Sequence, residues 1–180
     1  MPLAIRRLEK ADEVKHFDCG DPKLNEYQRC FAWQNQVRHC VGVTYVALEV
    51  DVSNVVVIGF YTLASSSIAN ALFPDALGRW LPPYSHIPVV LLARLAVDQR
   101  FQCRGVGAQL LAHALHQALR IQAAMGCRGV IVDAYPGAVP WYQKYGFVPF
   151  GDPPVGAPAE TMHLDLRTLE VGAARAVMPL

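Results

Sequence analysis

The chain has 180 residues, a length that fits one domain able to bury about 70% of its unfolded surface without disulfide or metal staples. Apolar residues make up 53% and charged residues 17%, and a formal net charge of +1 gives the whole chain no pull towards nucleic acid, so any such binding must come from a local patch. The five cysteines (Cys19, Cys30, Cys40, Cys103, Cys127) are odd in number and lack CxxC spacing, which argues against a disulfide framework and a structural zinc site and points to a reducing compartment. The longest apolar run, Ile87 to Val97, is interrupted by Pro88 and Arg94, and no signal-length apolar segment stands near the start. No membrane span is therefore expected, and the chain reads as a soluble, cytoplasmic protein.

Ala4 to Leu8 fits a short edge strand. Asp21-Pro22 then reads as a helix start, because an aspartate at the N-cap accepts from an orphan N–H and proline needs no donor at the first helical position. The helix so begun should carry Leu24, Tyr27 and Phe31 on one face and end near Gln36, with Arg29 and Arg38 solvated. Val43 to Val50 and Val55 to Leu63 read as a hairpin around the polar turn Asp51 to Asn54. From Ser65 to Pro88 the prolines forbid a long helix, and a short helix over Ile68 to Phe73 followed by a loop is expected. Ser65-Ser66-Ser67 lacks a nucleophile-elbow pattern and reads as a strand end.

Val89 to Val97 is apolar on both faces, as in a strand at the middle of a covered sheet. Arg94 interrupts it. A charge there must be paired or must face a wet cleft, so Arg94 is either a structural ion pair or a site residue. From Gly105 to Met125 the residues Val106, Leu110, Leu111, Ala114, Leu115, Ala118, Ile121 and Met125 form one helical face, and Gly126 stops the helix. His113 and His116 fall on the opposite stripe. With no cysteine or carboxylate near them, they read as solvated, not as metal ligands. Gly129 to Ala134 is the next strand, Pro140 opens a short helix that Gly146 stops, and Glu160 to Leu166 alternates as a last strand. The tail from Val171 is small and apolar, with disorder and partner contact both open. No repeat or linker appears, so residues 1–180 read as a single domain.

Gln102 to Gly107, QCRGVG, lies between the arginine-bearing strand and the long helix. Its glycines let the backbone approach a ligand, and successive N–H groups share one concavity at the positive end of a helix, which suits a pyrophosphate. No Lys-Ser or Lys-Thr follows Gly107, so this is not a P-loop, and Leu110 stands where a dinucleotide fingerprint has its third glycine. A turn that merely caps the helix is the remaining alternative.

Gln102, Gly105 and Gly107 resemble the acetyl-CoA-binding motif of the GNAT family of N-acetyltransferases, Q/R-x-x-G-x-G/A, and Pro140 to Phe147, PWYQKYGF, resembles that family's later helix. Both stand in the family's order and separation. His16 to Tyr27, Leu91 to Gln102 and the YGF ending are further similar to the acetyltransferase toxins of bacterial toxin-antitoxin pairs. The resemblance implies an α+β fold, with a mixed central sheet of six to seven strands flanked by helices. It implies acetyl-CoA as co-substrate, no metal, and transfer of acetyl to the α-amino group of aminoacyl-tRNA, which stops translation. It also implies a homodimer and a ribbon-helix-helix antitoxin. In the same terms the thioester and pantetheine arm run beside Leu95, Ala96 and Val97, and the pyrophosphate sits on Gln102, Cys103, Arg104, Gly105, Val106, Gly107 and Ala108. Tyr142 matches the family's general acid to the leaving thiolate, and a phenol with pKa about 10 is protonated at neutral pH. Tyr145 is expected to contact the cofactor, and Trp141 and Arg94 to contact the acceptor.

The strand offers no carboxylate base; Asp98 lies past its end, and Asp133 is an alternative from elsewhere. Without a base, deprotonation at pH 7 costs about 1 kcal/mol for an α-amine near pKa 7.7 and about 4.6 kcal/mol for a lysine near 10.4. That gap favours an α-amine acceptor. A non-toxin N-acetyltransferase acting on a small amine or a protein amino group stays open. A binding module without catalysis is disfavoured by the intact Gln102, Gly105, Gly107 and Tyr142.

Overall fold

The computed structural model describes residues 3–50, 55–70, 82–150 and 158–169. Seven strands form one mixed sheet: β1 (Ala4–Arg7), β2 (Val43–Val50), β3 (Val55–Ala69), β4 (His86–Val97), β5 (Gly129–Ala134), β6 (Val148–Pro149) and β7 (Glu160–Asp165). Their order is β1-β2-β3-β4-β5-β7-β6, with β4 and β5 parallel and the β1/β2, β2/β3, β5/β7 and β6/β7 pairs antiparallel. The helices are α1 (Pro22–Glu26), α2 (Ala32–Val37), α3 (Val106–Met125) and α4 (Val139–Gln143). The expected α+β class and strand number hold.

Local chemistry explains most boundaries. The Asp21 carboxylate accepts from the backbone N–H groups of Lys23 and Leu24 at 2.8 and 3.2 Å, with Pro22 at the first turn. Gly126 and Gly146 end their helices in the left-handed region, at φ +78 and +85. Between α1 and α2 the backbone forms a π-turn over Tyr27–Phe31, in which Ala32 N–H donates to the Tyr27 carbonyl. The extra residue in that turn corrects the expected helical face: Tyr27 and Ala32 are buried, while Phe31 turns out to solvent. Arg29 is exposed, as expected, and its guanidinium also donates to the Phe17 carbonyl.

Two further expectations are corrected. β3 runs through Ser65–Ser67 to Ala69, so no helix starts at Ile68, which is buried in the strand; β-branched and small residues continue the ladder there. The remainder of that expected helix, the hairpin turn Asp51 to Asn54 and the tail from Val171 lie outside the described residues. Met125, the last residue of α3, is exposed and leaves the apolar face that Val106, Leu110, Leu111, Ala114 and Ala118 form.

The chain divides into two compact units, Met1–Ala64 with Leu92–Gln117 and Ser65–Leu91 with Ala118–Leu180. In the first, Phe17, Tyr27, Ala32, Val46, Val57, Phe60 and Ala96 form the core, with Phe17 set edge-on to Phe60 at 5.4 Å. Gly59 lies beneath α3, where a Cβ would come within 2.9 Å of Leu110 Cδ1 and 3.1 Å of the Ala96 carbonyl, so the missing side chain sets how closely the helix packs. Ile58 is the extra residue in a register shift opposite Ala47/Leu48, and its carbonyl accepts from Asp98 N–H at 2.9 Å, which anchors the end of β4. The second unit packs Ile68, Ile87, Val89 and Ile131 together, and Arg128 pairs with Asp165 at 2.6 Å.

Candidate functional site

In the first unit, Leu95, Ala96 and Val97 end β4. The parallel ladder to β5 covers Val90↔Val130 and Leu91↔Ile131 and stops short of them. A one-turn helix over Gln99–Phe101 follows, capped by Asp98, whose carboxylate accepts from Arg100 N–H at 3.0 Å. Asp98 is 1% exposed and is gripped twice by the Arg100 guanidinium at 2.9 Å, while a second oxygen contact comes from Asp18 N–H at 3.2 Å. Burial alone would raise this carboxyl, but the hydrogen bonds from Arg100 outweigh it and hold the group below the usual carboxylate range. Fully engaged in this way, Asp98 is a brace and has no free lone pair for base catalysis.

The turn itself is held by Gln102. Its side-chain amide donates to the Val97 carbonyl at 2.9 Å and to the Cys19 carbonyl at 3.1 Å, so the motif glutamine ties the turn to the strand end and keeps no side-chain N–H for an anion. Cys103 and Gly105 both take positive φ, +59 and +80, which bends successive N–H groups into one concavity before α3 begins at Val106. The first N–H groups of a helix have no intrahelical acceptor. A Cβ on Gly105 would meet nothing within 4 Å, and residues 102 to 105 are exposed, so the turn opens to solvent with room for an anion. Arg104 lies by the Phe101 ring, at 5.4 Å, and adds a positive charge, whereas the charge of Arg100 is matched by Asp98. Backbone donors, open space and the Arg104 guanidinium fit the diphosphate of an acyl-CoA.

Arg94 corrects one of its two expectations. Among the described residues it makes no ion pair; its guanidinium lies 3.7 Å from the centre of the Tyr27 ring. Sequence reasoning also missed His113. It is partly buried on α3, with Nδ1 2.6 Å from the Tyr61 hydroxyl and its ring edge-on to Tyr45. Tyr61 is wholly buried and its phenol is pushed far up by burial and by Tyr45, so it donates and His113 accepts. Burial, then the neighbouring His116, lowers the His113 pKa, consistent with a neutral acceptor ring. The signal was available: Tyr61 stands in an apolar run of β3 that is buried on both faces, and a buried phenol needs a partner. Among the described residues no three His, Cys, Asp or Glu side chains gather as a metal site, and no helix is long and apolar enough to cross a membrane.

In the second unit, Pro140 stands in the first turn of α4, and the helix brings Trp141, Tyr142 and Tyr145 together: the Trp141 ring lies 4.9 Å from each tyrosine ring. Tyr142 is 6% exposed and packs edge-on against Phe147 at 5.3 Å, while Tyr145 is exposed. Burial pushes the Tyr142 phenol up to about 12. Of the two tyrosines, Tyr142 is thus the one kept as a proton donor in a dry setting. Asp133 is exposed on β5 and accepts from the Thr161 hydroxyl at 2.7 Å.

Residues 40–149 match the family model of the acetyltransferase (GNAT) domain. The chain belongs to the GNAT acetyltransferase family. Among curated GNAT relatives, it is 37% identical over 134 residues to a tRNA-acetylating toxin of Mycobacterium tuberculosis, covering 73% of this chain and 75% of that protein. A solved structure of AtaT complexed with acetyl-methionyl-tRNAfMet is 27% identical with a TM-score of 0.84, covering 95% of this chain and 99% of that one. A structure of AtaTR bound with acetyl-CoA is 29% identical with a TM-score of 0.77, covering 96% and 98%. The GNAT fold and acetyltransferase activity expected from the two motifs therefore hold.

Proposed function

We propose that this GNAT enzyme moves acetyl from acetyl-CoA to the α-amino group of an aminoacyl-tRNA and so stops translation, as the toxin of a toxin-antitoxin pair. The observation that carries the reading is the combination of a preformed anion cradle at Gln102–Ala108 with a buried, proton-holding Tyr142, in a chain 37% identical to a tRNA-acetylating toxin. The thioester supplies an activated acetyl group. On the protein's side, the backbone N–H groups from Cys103 to Ala108 bind the diphosphate, and Gln102 fixes their orientation through Val97. Backbone from Leu95 to Val97 lies along the acyl arm and donates to the carbonyl. Tyr142 gives its proton to the departing sulfur, Tyr145 borders the cofactor, and Trp141 packs between the two tyrosines.

Asp98 is spent on Arg100, so the acceptor must lose its proton easily, and an α-amine does so at a cost about 3.7 kcal/mol lower than a lysine. The reading includes residues 1–180 acting as one catalytic domain, a homodimer, a cytoplasmic location where charged tRNA is found, and neutralisation by a ribbon-helix-helix antitoxin. A structure of an AtaT mutant toxin bound to the C-terminus of the antitoxin AtaR, 27% identical to this chain, supports an antitoxin partner. Expression without an antitoxin should arrest growth, and Tyr142→Phe should release the arrest at equal protein level. Harmless expression of an active wild-type enzyme would turn the reading to a non-toxin N-acetyltransferase.

A further inference from the structure

The cation at Arg94 has an unusual setting. Tyr27, beneath it, is fixed on several sides: its ring stacks on Phe60 with centroids 6.2 Å apart, and its hydroxyl lies 3.4 Å from Thr62, which is bonded to Thr44 across the β2/β3 ladder at 2.9 Å. The guanidinium rests on this rigid ring at 3.7 Å, partly buried on β4. A guanidinium so held is planar and preorganised, with its N–H edge suited to two oxygens of a phosphate or carboxylate. Yet among the described residues no carboxylate pairs with it, unlike Arg100, Arg128 and Arg6, each of which has one. A partly buried charge with no carboxylate partner among the described residues suits an anion brought by a ligand.

The position restricts what that partner is. Arg94 immediately precedes Leu95–Val97, the stretch assigned to the acyl arm, so its ligand is an anion that lies near the reacting carbonyl. Acetyl-CoA carries its diphosphate at the far end of a long uncharged arm, and the turn at Gln102–Ala108 already serves it. A free small amine has no anion to offer. An aminoacyl-tRNA does, in the phosphodiester that joins its last two nucleotides beside the aminoacyl ester.

We propose that Arg94, positioned by Tyr27, grips this terminal phosphodiester and is the residue by which the enzyme prefers a tRNA-borne amine to a small one; the inference rests on the function proposed above. The test compares wild type, Arg94→Gln and Arg94→Lys with two acceptors, an aminoacyl-tRNA and the same amino acid esterified to adenosine, which lacks the phosphate. Arg94→Gln should raise KM for aminoacyl-tRNA at least about tenfold more than it raises KM for the aminoacyl-adenosine, the loss expected of a charge-assisted hydrogen bond. The slope of log binding constant against log salt for tRNA should fall by about one. Arg94→Lys keeps the charge but not the fork, and should keep the salt slope with a smaller rise in KM; it carries the same comparison if Arg94→Gln does not fold. Equal losses on both acceptors, an unchanged salt slope in Arg94→Gln, or a raised KM for acetyl-CoA would each overturn the inference. Wild-type inactivity on aminoacyl-tRNA overturns the proposed function and this inference together, whereas an active wild type with no difference between acceptors overturns the inference alone.

Discussion

A phenol makes a useful acid only if it still holds its proton when the thiolate departs. Burial behind Trp141 and Phe147 raises Tyr142 to about 12 and secures this across the working range. Tyr142→Phe removes the proton and keeps the ring, so kcat should fall by about 10²–10⁴-fold while the affinity for acetyl-CoA stays within about twofold, measured by steady-state kinetics and calorimetry. Tyr145→Phe, one turn on and exposed, should keep most of the turnover. The pH profile follows from the same residue. The acceptor amine must be neutral, so kcat/KM rises through its pKa near 7.7 and levels off, with no descending limb up to about pH 9.5 because Tyr142 is still protonated there. A decline centred below pH 9 would mean that some other group supplies the proton.

At the scale of elements, positions are set by glycines, caps and braces. Gly129 shows how tightly: a Cβ there would lie 2.5 Å from the Leu164 carbonyl oxygen, a backbone atom of β7 that cannot rotate away. Gly129→Ala should destabilise the protein by about 2–3 kcal/mol and lower Tm by roughly 5–10 °C in a thermal melt. Elements specified by local chemistry were legible in the chain: Asp21-Pro22, Gly126 and Pro140 mark helix ends through one or two residues each, and the run Gly129 to Ala134 is a strand as read. What escaped depends on tertiary partners. The π-turn at Tyr27–Phe31 has no local signature and exchanges Phe31 for Ala32 in the core. The helical stripe that holds His113 looked solvated because Tyr61, its partner, stands 52 residues away. β6 is two residues long, with Pro149 in it, and offers no periodicity to read. In the site, the spacing of Gln102, Gly105 and Gly107 identified the cradle, but not that the glutamine side chain is used up on Val97 and Cys19, nor that Asp98 is spent on Arg100.

For the whole molecule, a net charge of +1 means that affinity for tRNA cannot come from a bulk field. It must come from a few well-placed cations, so wild-type binding to tRNA should weaken steeply with salt, with a slope that counts only those contacts. The central claim is acetyl transfer to an amine carried by tRNA, and the most direct measurement is incubation of the purified protein with acetyl-labelled acetyl-CoA and tRNA that is either charged or stripped of its amino acid. The account predicts label only on charged tRNA, released by mild alkali as an N-acetylated amino acid, and abolished by Tyr142→Phe. Label that reaches stripped tRNA equally, or an active enzyme that labels small amines and leaves charged tRNA untouched, would contradict it.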